Sequence, residues 1–181
     1  LDLLINRTNR MYNLIQGILD YSRVSRIQQH RQPVDINAIL KEVLDNLNPP
    51  PSIKIDIPQS LPTIVATETH MIQVFQNLLD NAIKFMDKGE GQISLKCQQK
   101  DQFWLFSIHD NGPGVEEKYH DKIFKIFQTL KPRDQMESTG IGLAIVKKIL
   151  EKNGGAIRVE SQPNAGTTFI FTIPIEEQND A

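Results

Sequence analysis

Cysteine is almost absent from this chain. Cys97 stands alone, so no disulfide forms within it, and a reducing, cytoplasmic setting is the expectation. Excess charge is also small: the formal net charge of −2 gives no electrostatic case for nucleic acid and leaves room only for a local basic patch. No apolar run approaches the ~20 residues of a membrane span, and no signal-peptide pattern opens the chain. Zinc-type Cys/His spacing, a Gly-x-x-x-x-Gly-Lys phosphate loop and low-complexity tracts are missing too. What is present, 39% hydrophobic and 23% charged residues over 181 positions, suits one fair-sized globular domain with an appendage. At Leu1 the pattern is already that of mid-helix, which suggests part of a longer protein.

Residues 4–25 have helical spacing. Leu4, Thr8, Met11, Ile15, Ile18, Ser22 and Ser25 step by fours and threes, widened by Leu14, Leu19 and Tyr21. Before the polar stretch 28–31 nothing offers this stripe a partner. It therefore calls for other helices, in a bundle or from a second chain, or for folding back on the domain downstream. A short strand at 33–36 leads into a helix through Leu47, with Asp35 or Asn37 as its cap and Pro49–Pro51 as its stop. Ile53, Ile55 and Ile57 alternate with Lys54 and Asp56 as a half-buried strand, and 63–66 reads as another. A second long helix runs from Thr67 to Met86 and carries Asn77, Asn81 and Lys84 in one narrow line opposite its apolar half.

Strands are expected at 92–98 and 103–109, joined by a hairpin over 99–102. Asp110-Asn111-Gly112-Pro113-Gly114 comes next, a rigid kinked turn with a carboxylate at its mouth and a backbone that a flat ligand can approach. Beyond it lie a short helix at 116–122, the pair Phe124 and Phe127, and a polar loop at 128–139. Gly140-Ile141-Gly142 then opens a helix that ends at Asn153-Gly154-Gly155, and strands at 156–161 and 167–173 close the pattern before an acidic tail from Glu176. The glycine pair exposes backbone N–H groups at a helix start. It is not a dinucleotide fingerprint, because Ile145 stands where the third glycine belongs.

Three pieces fit one nucleotide site. Asn77, Asn81 and Lys84 offer amide oxygens and a cation, suited to magnesium beside a triphosphate without adding negative charge. Lys131 and Arg133 in the polar loop can neutralise phosphate, and the Gly140/Gly142 helix start can receive it. Each piece alone is also what a solvated helix face, a surface loop or a packing glycine looks like.

In order, these motifs resemble the catalytic core of sensor histidine kinases, in the group that also holds gyrase-type, Hsp90-type and MutL-type ATPases. Residues 76–85 are similar to its N box, 110–114 to its first glycine box, 123–127 to its F box, 139–143 to its second glycine box and 166–169 to the last one. Residues 11–25 look like the second helix of the dimerisation and phosphotransfer bundle. The resemblance implies an α+β Bergerat fold: a two-layer sandwich with a mixed, mostly antiparallel sheet, helices on one face, and a long bundle helix in front. It divides the chain into 1–31, bundle helix and linker; 32–175, ATP-binding domain; and 176–181, a flexible tail.

By the same resemblance Asp110 accepts the adenine amino group while Gly112 and Gly114 let the ring lie against the loop. Asn81 ligates Mg2+, Asn77 lies on the phosphate side, and Lys84 contacts phosphate. Residues 128–139 become the ATP lid, with Phe124 and Phe127 at its base, Arg133 its cation, and Thr139, Gly140, Gly142, Leu143 and Thr168 completing the contacts. Ser138 departs from the family, which commonly has glycine there. The acceptor histidine is expected on an upstream helix, because His30, His70, His109 and His120 all lack its context and read as ordinary histidines. A response-regulator receiver domain and a homodimer are the implied partners. Two other readings remain: an ATPase that drives a protein clamp, and a non-catalytic nucleotide-binding module. Asn77 argues against the first, because asparagine is a poor base for activating water.

Overall fold

The computed structural model describes residues 2–26, 30–58, 60–130 and 139–175. Residues 28 and 29 of the polar stretch at 28–31, the lid cations at 131–138 and the tail at 176–181 lie outside the described residues.

The opening helix α1 is Asp2–Arg26. β1 (Gln32–Asp35) leads directly into α2 (Ile36–Leu47), and the choice of cap falls on Asp35. Its carboxylate accepts the Asn37 N–H at 2.9 Å, satisfying one of the orphan donors of the first turn. The Asn37 side chain donates to the same carboxylate at 2.8 Å and exchanges two hydrogen bonds of 3.1 Å with the backbone of Leu61, tying the helix start to the chain before β3 (Thr63–Ala66). α2 stops at Asn48, which turns left-handed (φ 43°) and donates its N–H to Leu44 O, and the prolines beyond cannot resume it.

α3 spans Glu68–Lys84, two residues short of the expected end. Beyond it the chain needs Met86 to turn inward, against the position a Cβ on Gly91 would take. β2 (Ile53–Asp56) pairs in parallel with β4 (Gly91–Lys100), with β3 and α3 in the crossover between them. β4 and β5 (Phe103–Asp110) form the expected hairpin, with a tighter connection: both strands extend until Asp101 and Gln102 remain, Asp101 at φ 53°. The expected helix at 116–122 is reduced to one 3-10 turn, Glu117–Tyr119, and a chain of turns. So short a segment cannot offset the cost of nucleating an α-helix. α4 (Gly142–Lys152), β6 (Ile157–Ser161) and β7 (Thr167–Pro174) complete the order.

The main sheet runs β2-β4-β5-β7-β6, antiparallel except for β2–β4, and β1 and β3 form a separate antiparallel pair. One face of the main sheet carries the core. Leu95, Phe106, Ile108, Phe169, Phe171 and Ile173 are buried there. Phe75 of α3 meets Phe106 and Phe171 edge-on at 5.7 Å each, and those two rings stack at 5.2 Å. α3 packs against α2 and α4, and α1 packs against α4. The apolar stripe of α1 finds no cover among the described residues: Met11, Ile15 and Ile18 are 63%, 53% and 46% exposed. No helix among the described residues is long and apolar enough to cross a membrane.

Candidate active site

At the carboxyl end of β5 the core face of the sheet ends in Asp110, paired across to Thr167. Both are buried, and together with Pro113, Gly114 and Val115 they form one wall of a cavity of about 360 Å3, within the size range of small-molecule sites. α3 supplies a second wall through Asn77, Asp80, Asn81 and Lys84. The start of α4 supplies a third through Thr139, Gly140, Gly142 and Leu143, while Ala82, Ile123 and Phe169 add apolar surface.

The turn after β5 is fixed from both sides. Asp110 Oδ1 accepts the Gly112 N–H at 2.9 Å, so Gly112, which does not line the cavity, orients the carboxylate that does. Gly114 adopts φ 72°, and a Cβ there would lie 1.9 Å from Gln162 O, a position open to glycine alone. The β6–β7 loop presses on this turn: Asn164 N–H donates to Pro113 O and Val115 N–H to Ser161 Oγ. Asn111 ties it to the other side by accepting the Gln92 N–H at 2.8 Å. Burial pushes the Asp110 carboxyl above the usual carboxylate range, only partly offset by the backbone N–H groups of Gly112 and Thr167 and by His109. A carboxylate that is costly to keep charged, and that has acceptor positions to spare, suits a ligand bringing its own N–H donor.

On α3 the Asn77 amide donates from Nδ2 to Gln73 O at 2.7 Å, which turns Oδ1 toward the start of α4. There a Cβ on Gly142 would come within 2.4 Å of Asn77 Oδ1, so the glycine is what lets α4 approach α3. The expected line of Asn77, Asn81 and Lys84 thus faces the cavity, with Asp80 beside it. Among the described residues no group of three or more His, Cys, Asp or Glu is placed to hold a metal. On the α3 wall the oxygens are the Asn77 and Asn81 amides and one Asp80 carboxylate, a hard set that leaves most of an octahedral shell to water and phosphate. That is how Mg2+ binds beside a polyphosphate, so the residues present fit the ion.

Some expected contacts fall elsewhere. Thr168 does not line the cavity. Its hydroxyl lies 3.0 Å from His109 Nδ1, and the strand alternation puts Thr167 on the cavity side instead. Phe127 is also outside the lining and is 45% exposed; at φ 65° its N–H donates to Gly140 O at 2.9 Å, closing the base of the 128–139 segment through the backbone. Phe124 meets Phe169 edge-on at 6.3 Å beneath it. Arg133 lies outside the described residues.

Four residues at or around the site were not among the expected contacts: Asp80, Thr167, Ser161 and Asn13. Asp80 is visible in the sequence on the polar side of its helix, and Thr167 only by counting strand alternation from Phe169. Ser161 and Asn13 give no local signal, since their places depend on another part of the chain. None of His30, His70, His109 and His120 lines the cavity. His70 is buried, and burial first and Lys152 second hold its imidazole below the ordinary range. His120 Nε2 lies 3.2 Å from Val115 O, and His30 is exposed. Burial pushes the Cys97 thiol up to about 11, which makes it a poor nucleophile.

Residues 66–177 match the family of histidine kinase-, DNA gyrase B-, and HSP90-like ATPases. The chain is 42% identical to cyanobacterial phytochrome A of Nostoc sp. over 170 residues, covering 91% of this chain and 22% of that protein. It is 36% identical to the adaptive-response sensory kinase SasA of Synechocystis sp. over 180 residues, covering 91% of this chain and 45% of SasA. Among solved structures, full-length ShkA in complex with AMPPNP superposes with a TM-score of 0.78 at 29% identity, over 96% of this chain and 37% of that one. The mycobacterial sensor histidine kinase MprB gives 0.70 at 28% identity, over 80% of this chain and 97% of that one. This chain therefore belongs to the histidine kinase-, gyrase- and HSP90-like ATPase family, as a sensor histidine kinase catalytic core. It spans less than half the length of the two curated relatives.

Proposed function

We propose that this chain binds Mg-ATP in the cavity between α3 and the 110–115 turn and donates the γ-phosphoryl group to a histidine on a bundle helix. The observation that carries the reading is the convergence of three distant segments on one nucleotide-sized cavity: the buried Asp110 carboxylate, the Asn77/Asn81/Lys84 line and the α4 start. Asp110 accepts the adenine amino group, and Ala82, Ile123 and Phe169 supply apolar surface for the ring. The phosphates lie toward Asn77, Asn81, Lys84 and the N–H groups at the head of α4. Asn81, supported by Asn77, holds Mg2+, which when bound neutralises phosphate charge.

The acceptor nitrogen attacks the γ-phosphorus in line, the bond to the β-phosphate oxygen breaks, and ADP leaves. Positioning and charge neutralisation supply most of the catalysis in such a transfer. All four histidines in this chain lack the sequence context expected of the acceptor. Phosphoryl relay to a receiver-domain aspartate and a cytoplasmic setting extend the same reading. So does the division into a bundle helix with linker (1–31), an ATP-binding domain (32–175) and a tail (176–181).

Isothermal titration with Mg-ATP tests the site: Asp110→Asn is expected to abolish measurable binding, and unchanged affinity overturns the adenine assignment. Incubation with radiolabelled ATP and a separate histidine-bearing bundle tests the transfer. Label on the bundle supports it, whereas rapid release of free phosphate with an unlabelled bundle favours a hydrolytic clamp.

A further inference from the structure

α1 uses a second face besides its exposed apolar stripe. Asn13, Gly17, Tyr21 and Val24 step by four, four and three and so share one side of the helix. That side lies on α4. A Cβ on Gly17 would come within 2.7 Å of Ile141 Cδ1, so the α1 backbone passes directly over the residue that caps α4. Further along, Lys148 Nζ donates to Tyr21 O at 2.8 Å and stands 3.8 Å from the centre of the Tyr21 ring. Lys152 Nζ donates to Val24 O, and the Val24 side chain is buried.

At the other end of this face Asn13 reaches the cavity. Asn13 also borders a polar cleft between α1 and α3, where the cavity residues Asn77, Asp80, Thr139 and Gly142 recur and Asp110 does not. Asn13 therefore stands at the phosphate end of the cavity, away from the base.

We propose that Asn13 is a nucleotide-binding residue supplied by the bundle helix: its amide N–H donates to a phosphate oxygen, and nucleotide binding and the docking of α1 on α4 form one coupled equilibrium. A neutral amide adds a donor without disturbing the charge balance around magnesium, and hydrogen bonds to a charged acceptor are among the stronger ones. Asn13 reaches the cavity only while α1 lies on α4. Nucleotide must then favour docking by the same factor by which docking favours nucleotide. This inference rests on the ATP reading of the cavity.

The test is titration of the whole chain with Mg-ATP and, separately, with adenosine. Asn13 is an exposed helix residue, so Asn13→Ala leaves the fold intact, as circular dichroism will verify. Asn13→Ala is expected to weaken ATP binding about tenfold, the scale of one charge-assisted hydrogen bond, and to leave adenosine binding unchanged. Lys148→Ala/Lys152→Ala, which removes the two lysine contacts to the α1 backbone, is expected to weaken ATP binding by a similar factor and to remove any further effect of Asn13→Ala. Wild-type ATP affinity in Asn13→Ala, with binding lost in Asp110→Asn, overturns the inference while leaving the ATP site standing. Unchanged affinity in both variants means that the ATP reading itself has failed. A full Asn13→Ala penalty that persists in the lysine double variant overturns the coupling.

Discussion

At the residue scale, Asp110 shows a functional group held against its own preference. Burial raises its pKa, so the folded protein binds the proton more readily than the unfolded chain does. Stability must therefore fall as pH rises from the ordinary carboxyl value of 3.8 through the raised one, and the deficit persists above it. Asn keeps the oxygen that accepts the Gly112 N–H and loses the charge. Asp110→Asn is thus expected to be more stable than wild type in urea at pH 7, with the gain shrinking as the pH approaches the ordinary carboxyl value, while ATP binding is lost. A constant difference across that range sinks the burial argument. Gly114 gives the opposite case. Gly114→Ala meets both a left-handed φ of 72° and the Gln162 carbonyl, so a loss of about 2 kcal/mol or more is expected in urea melts, together with loss of ATP binding.

At the element scale, helix ends and strand faces decided what sequence pattern left open. Both Asp35 and Asn37 are good caps by residue type, and Asp35 prevails because Asn37 is engaged with Leu61. Asp35→Ala is expected to lower the melting temperature by a few degrees and to leave Mg-ATP affinity at the wild-type value, since α2 starts away from the cavity. Alternation along β7 sends Thr168 to His109 and Thr167 to the cavity, so a motif position and its neighbour differ in role by one step of the pleat. α1 shows the limit of periodicity. The stripe through Met11, Ile15 and Ile18 was legible and remains exposed. The face through Asn13, Gly17, Tyr21 and Val24 was not, because glycine, asparagine and a tyrosine carry no hydrophobic period.

At the scale of the whole molecule, one aromatic cluster joins the layer of helices to the sheet that holds the site. Phe75 is wholly buried between Phe106 and Phe171, on the side of α3 turned away from Asn77 and Asn81. Phe75→Ala is expected to cost about 3–5 kcal/mol by the loss of a buried ring and the cavity left behind. That is a large share of a typical domain's stability of roughly 5–15 kcal/mol. Calorimetry should show a single cooperative transition shifted down. Nucleotide is expected to recover part of the shift, because it binds only the folded state.

The sequence by itself determined most of the elements and the three pieces of the site, because each rests on local chemistry: alternation in the strands, a polar line on α3, glycines where the backbone must turn. Only the tertiary structure decided how these pieces meet. The rigidity of the 110–115 turn comes from a loop about fifty residues away in the chain, through Gln162, Ser161 and Asn164. The raised pKa of Asp110 comes from burial that no motif specifies. Asn13 joins the cavity because Gly17 lets one helix lie on another. These are properties of contacts between segments distant in the chain, and residue type along the chain does not record which segments will touch.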